Sequence, residues 1–164
     1  MSQLKLNWKK GIFDSTYSLH EQNEQVGWLQ SKSFSQQSVG KLNGKKYAFR
    51  TTGTFSQKTD IFDLEDKKKI GEISYSNWMT KAEINFSDRS MHWRYENHWN
   101  TRWRLTGEGD KDIQYISSTT SGLINSNTES ELEILTGLYI NNYYSQLLLL
   151  IIFIAFIPIW LTVL

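Results

Sequence analysis

The last eighteen residues of the sequence, Leu147 to Leu164, carry no charge and almost no polar group, and they follow a long polar body patterned like β-strands. As a helix, such a run rises about 27 Å at 1.5 Å per residue, slightly less than the roughly 30 Å hydrocarbon core of a bilayer. A body of this size is too small to hide so long an uncharged helix. The sequence therefore predicts a C-terminal membrane anchor over 147–164, carried by Leu147, Leu148, Leu149, Leu150, Ile151, Ile152, Phe153, Ile154, Phe156, Ile157, Trp160 and Leu161. Tyr139, Tyr143 and Tyr144 suit a near interface and Trp160 a far one, while Pro158 falls where a membrane helix tolerates a kink.

Eighteen Lys and Arg against seventeen Asp and Glu leave a net charge of +1, which argues against a nucleic-acid partner. Every Lys and Arg lies at or before Lys111, and the only later charges are Asp112, Glu129, Glu131 and Glu133. The approach to the tail is acidic, so the positive-inside rule cannot orient it. The sequence contains no cysteine, which excludes disulfides, thiolate catalysis and Cys-based metal sites. Residues 1–10 lack the apolar centre of a signal peptide, so the body is expected on the cytoplasmic side, with the tail inserting after synthesis.

Before Glu131 the chain reads as short strands separated by turn signals, with no convincing amphipathic helix. Leu4-Lys5-Leu6-Asn7-Trp8 alternates, and Asn43-Gly44 is a hairpin dipeptide ahead of Tyr47-Ala48-Phe49. About ten to twelve such strands fit, and their regular spacing favours an antiparallel barrel or sandwich. A weak echo links Val26-Gly27-Trp28-Leu29 to Ile70-Gly71-Glu72-Ile73, each after a polar turn. It falls short of a duplicated domain.

From Met91 to Leu105 the odd positions are mostly apolar and the even positions polar, which predicts one aromatic and one wet face. A turn at Asn97 would set Tyr95 opposite Trp99 and Met91 opposite Trp103, making these tryptophans core residues.

Leu132 to Tyr144 is apolar on nearly every side of a helix and needs burial all round. It reads either as the first turns of a long membrane helix or as a helix packed inside the β domain. The chain thus divides into a strand domain at 1–131, a hydrophobic helix at 132–146 and the anchor at 147–164.

Candidate chemistry is sparse. His92 and His98 lie too far apart on an extended strand to share a metal, and Glu108-Gly109-Asp110-Lys111-Asp112 lacks the ligand spacing of a calcium loop. Asn85-Phe86-Ser87 matches a glycosylation sequon inside an apparent strand and is read as incidental. No nucleophile elbow, phosphate-binding loop, dinucleotide fingerprint or zincin motif occurs, so a non-catalytic protein without metal or cofactor is expected. The bases placed as possible contacts for anionic lipid are Lys67, Lys68 and Lys69 in one turn, with Arg102 and Arg104 on the wet face of the aromatic segment.

The turn-then-Val/Ile-Gly openings at Val26-Gly27-Trp28 and Ile70-Gly71-Glu72-Ile73, followed by Leu135-Thr136-Gly137-Leu138-Tyr139 in a hydrophobic helix, carry a family likeness. Over most of residues 4–145 the chain resembles the tubby-like C-terminal domain shared with LURP-one-related proteins and phospholipid scramblases. The resemblance implies a twelve-stranded antiparallel barrel threaded by a central helix, here 132–144, with 147–164 as a membrane extension. The phosphoinositide contacts of tubby proteins find no residue-by-residue match, and no cysteine is available for palmitoylation. The functional expectation is a mainly β, single-pass, tail-anchored barrel module that binds lipid headgroups or a protein partner at the membrane surface. Two alternatives stand beside it. One is a small accessory subunit whose tail packs against another membrane protein; the other is a scramblase-like activity on lipids.

Overall fold

The computed structural model describes residues 3–12, 14–31, 36–53 and 57–163, the last five as helix backbone only. Twelve strands follow one another: β1 (Leu4–Lys10), β2 (Thr16–Glu21), β3 (Glu24–Ser31), β4 (Gln37–Leu42), β5 (Lys45–Thr52), β6 (Lys58–Asp63), β7 (Lys68–Tyr75), β8 (Lys81–Phe86), β9 (Ser90–Tyr95), β10 (Arg102–Gly107), β11 (Lys111–Ser117) and β12 (Ser121–Ser126). Each pairs antiparallel with the next, and β12 returns to β1, so the sheet closes into a barrel. Closure leaves no free sheet edge. Among the described residues a single helix, α1 (Glu131–Val163), follows β12.

Alternation builds the wall. In β8, Ala82, Ile84 and Phe86 are buried while Lys81, Glu83 and Asn85 face outward. At Asn43-Gly44 both residues take positive φ, as a two-residue hairpin turn with the twist of its strands requires. The echo between Val26-Gly27 and Ile70-Gly71 has a structural cause. The β2–β3 register slips between Leu19 and His20, and the β6–β7 register slips between Ile61 and Phe62, leaving Val26 and Ile70 as the extra residue of two equivalent bulges. The glycine that follows each bulge lies against the neighbouring strand. A Cβ on Gly27 would meet the Lys41 carbonyl oxygen at 2.4 Å, and one on Gly71 would meet the Phe86 ring at 2.8 Å.

Eight strands leave an interior that side chains alone can fill, whereas twelve leave room for a helix about 10 Å across. The first half of α1 occupies it. Ile134, Leu135, Leu138, Tyr139, Ile140 and Tyr144 are buried against wall residues from Leu6 round to Ile124. Apolar residues on every face of 132–144 are thereby explained, and the helix continues without a break from this core into the exposed apolar stretch.

One expectation needs correction. β9 and β10 pair Tyr95 with Trp103, Trp93 with Leu105 and Met91 with Gly107, and Trp99 stands on the connecting loop, 86% exposed. The turn is longer than the alternation implied. The Asn97 side-chain oxygen accepts hydrogen bonds from the Thr101 and Arg102 amides and rounds the chain over residues 96–101.

Candidate functional site

In a meander barrel the turns alternate between two ends. The helix enters at the end holding the β12–α1 connection and leaves at the end holding the loops 76–80, 96–101 and 118–120. At the entry end Glu133, fully buried, places one carboxylate oxygen 2.7 Å from both Arg89 Nε and Lys111 Nζ. Ser130 caps the helix start, and Glu131 pairs with Lys45 at 3.1 Å.

Within the barrel, polar contacts fix the helix at many azimuths. The Trp93 indole donates to the Gly137 carbonyl at 3.0 Å, and the Tyr115 hydroxyl donates to the Ile134 carbonyl at 3.0 Å. Tyr139 stacks on Phe49 with centroids 4.3 Å apart, its hydroxyl 2.9 Å from Thr51. Asn142 donates to Ser31 at 2.9 Å, and Tyr95 donates to Asn141 at 2.9 Å. Nearest the exit, Tyr143 bonds Gln57 and Tyr144 bonds the Lys81 carbonyl.

Above this layer the environment changes within one turn. Leu147 is half-buried at the rim, and Leu148 through Ile154, with Phe156 and Ile157, are exposed apolar side chains. Of the expected anchor residues, only the side chains of Trp160 and Leu161 lie outside the described residues. A cavity of about 370 Å³ opens where Leu148 and Leu149 meet the rim, walled by Trp78, Tyr95, Asn100 and Tyr144. Burial raises the Tyr95 hydroxyl above the usual tyrosine range, against a lowering hydrogen bond with Ser145.

The two rim loops beside this cavity have congruent geometry. In Ser76-Asn77-Trp78-Met79-Thr80-Lys81 the Met79 amide donates to the Ser76 carbonyl at 3.1 Å, and the Ser76 hydroxyl accepts from the Thr80 and Lys81 amides. In Asn97-His98-Trp99-Asn100-Thr101-Arg102 the Asn100 amide donates to the Asn97 carbonyl at 3.3 Å, and the Asn97 side chain accepts from the Thr101 and Arg102 amides. Met79 and Asn100 both adopt the left-handed region, with φ of 53° and 56°. Each loop thus bends sharply just after its tryptophan. Trp78 and Trp99 are both left 86% exposed, and a base opens the next strand. For a methionine that conformation is uncommon and costs about 1 kcal/mol or more.

Charge around the exit follows the same strands. Lys81 on β8 lies beside Arg94 on β9, which lies beside Arg104 on β10. Arg104 is neutralised, its Nε 2.8 Å from Glu96 and 3.5 Å from Asp112. Lys81, Arg94 and Arg102 are exposed and form no ion pair among the described residues. Lys10 is less available, since burial lowers its ammonium pKa despite Asp14, and its Nζ sits 4.9 Å over the Tyr17 ring.

Lys67, Lys68 and Lys69 sit at the entry end, the length of β7 away from the emerging helix. Lys69 is engaged by Asp60 at 2.6 Å and Glu72 at 3.2 Å, and Lys68 by Asp66 at 3.3 Å. The structure therefore brings Arg102 to the exit rim and leaves the lysine triplet at the opposite end. Sequence reading passed over Trp78, Lys81 and Arg94. The spacing that reveals two of them is the twin pattern Trp-x-Thr-base at 78–81 and 99–102.

A larger depression of about 720 Å³ crosses the outer wall over β11, β12, β1 and β2. Its exposed apolar part is the cross-strand pair Ile116 and Leu123, and no cluster of charged groups converges on it. The rim is the stronger candidate. No protein-family model, curated protein or solved structure matches the chain.

Proposed function

We propose that this chain is a single-pass membrane protein in which α1 anchors a non-catalytic, lipid- or partner-binding barrel directly at the bilayer surface. One observation carries the proposal: the helix leaves the barrel apolar and exposed on all sides from Leu148 to Ile157, without a polar linker. In water that surface would drive association, whereas hydrocarbon accommodates it. Beyond the barrel, 147–164 is an uncharged apolar run within the roughly 17–25 residues that a membrane span takes. The exposed bases Lys81, Arg94 and Arg102 beside the helix exit suit the negative surface of a cytoplasmic leaflet. Kinship with the tubby-like barrels is part of this proposal, supported by strand number and the threaded helix.

Alkaline carbonate washing of membranes tests the anchor. The full chain should stay in the pellet, and a chain stopped after Gln146 should appear folded in the supernatant. A truncated chain that still pellets in folded form removes the anchoring role from the tail.

A further inference from the structure

We propose that the exit rim is a docking surface for the headgroup layer of an anionic phospholipid bilayer. In this arrangement Trp78 and Trp99 seat at the interface, and Lys81, Arg94 and Arg102 meet lipid phosphates. The inference rests on the membrane reading above and adds to it a face, a lipid charge and named residues.

Three observations converge. The tryptophans are held outward by two loops of the same construction, each with a left-handed residue that side-chain hydrogen bonds maintain. Indole, with an apolar body and one N–H donor, is the side chain that favours the boundary between hydrocarbon and water. The residue three places after each tryptophan is a base, so each loop brings an apolar wedge and a cation to the same end of the barrel. Finally, Trp78 shares its cavity with Leu148 and Leu149, the first exposed apolar residues of the helix.

Continuity of α1 then fixes the distance. No flexible segment separates the barrel core from Leu148, so the rim cannot stand off from a bilayer that takes up the helix from that point. The entry end lies about 20 Å further out along the strands, well beyond the roughly 8 Å screening length of physiological salt. Lys67 to Lys69 therefore contribute little to lipid contact, and the specificity for negative headgroups falls to the rim.

The cysteine-free chain permits a direct test with single nitroxide labels on otherwise intact protein. Labels at Trp78→Cys, Trp99→Cys, Lys67→Cys and Phe153→Cys are placed in vesicles of phosphatidylcholine alone or mixed with phosphatidylglycerol. Collision with oxygen and with a polar nickel complex is then read for each. The label at 153 reports membrane insertion by itself, so failure of the underlying membrane reading is seen separately. Labels at 78 and 99 should lose access to the polar complex and gain oxygen access relative to 67, more strongly with phosphatidylglycerol. That difference between lipids should disappear in Lys81→Gln/Arg94→Gln/Arg102→Gln. An inserted helix with rim labels as wet as position 67 overturns the docking face. Rim labels shielded from both relaxants indicate a protein cover and overturn it too. Depth that ignores lipid charge and the three substitutions overturns the anionic assignment.

Discussion

Gly137 lies beneath the ring of Tyr115 so closely that a Cβ at position 137 would fall 2.2 Å from the tyrosine hydroxyl. The contact joins wall to helix at the centre of the barrel. Tyr115 is fully buried, stacks on Trp103 at 5.4 Å and donates to the carbonyl of Ile134, one turn before the glycine. Gly137→Ala gains about 1 kcal/mol of helix propensity but forces an overpacked core, whose cost of about 1–3 kcal/mol should prevail. Thermal unfolding in micelles should show a lower midpoint. Tyr115→Phe in the same chain should recover only part of it, because the ring carbon at 2.6 Å remains.

The two bulge glycines should respond unequally. Gly27→Ala would drive a methyl into the Lys41 carbonyl, which is held by the β3–β4 ladder, whereas Gly71→Ala would meet chiefly the Phe86 side chain. A ring can turn aside more easily than a backbone. Chemical unfolding should place Gly27→Ala about 2 kcal/mol below the parent and Gly71→Ala about 1 kcal/mol below it.

At the entry end Glu133→Gln should weaken the barrel by about 2–4 kcal/mol, since it uncouples two cations from a carboxylate that sits wholly inside. Arg89 and Lys111 are only partly covered and can regain water, which holds the loss to the lower part of that range. Micelle-based unfolding of Glu133→Gln and Glu133→Ala would measure it. Equal stability of the glutamine variant and the parent would count against the clasp.

Alkali should unfold the protein cooperatively. Burial raises the hydroxyls of Tyr17, Tyr75, Tyr95 and Tyr115 above the ordinary value of 10.0, and pushes Tyr47 up to about 12 with help from Asp63 and Glu131. A folded state that keeps these groups neutral binds more protons than the unfolded chain above pH 10. Their stabilisation is therefore complete below pH 10 and is lost as pH rises toward and past the folded values. Tyrosinate absorbance and circular dichroism should change together. Ionisation of all tyrosines near pH 10 with the fold intact would contradict the burial.

Much of the fold was legible because its signals are local and periodic. Lys81-Ala82-Glu83-Ile84-Asn85-Phe86 announces a strand by alternation, Asn43-Gly44 announces its turn, and the all-round apolar character of 132–144 demands an enclosing wall. Trp99 was misplaced because turn residues can continue the alternation of a strand they do not belong to. Glu96, His98 and Asn100 preserve the polar phase, and Trp99 the apolar one, through a loop of six residues, so period alone does not show where β9 stops. Lys67 to Lys69 pose a different problem. Turns in a meander alternate ends, and one strand more or less in the count moves a turn to the opposite end of the barrel. Pairing Trp78 with Trp99 also requires knowing that loops 21 residues apart in sequence are neighbours at one end.

Because α1 is locked to the wall at several angles and leaves without a hinge, the barrel and the protruding helix share a single rotational phase. Each residue of an α-helix advances its side chains by about 100°. One residue inserted between Gln146 and Leu148 would turn Phe153 and Ile157 to a new side of the domain while every barrel contact stayed in place. The spacing between Asn142 and the apolar stretch thus acts as an angular setting, which determines the side of the domain presented to any neighbour that grips the helix.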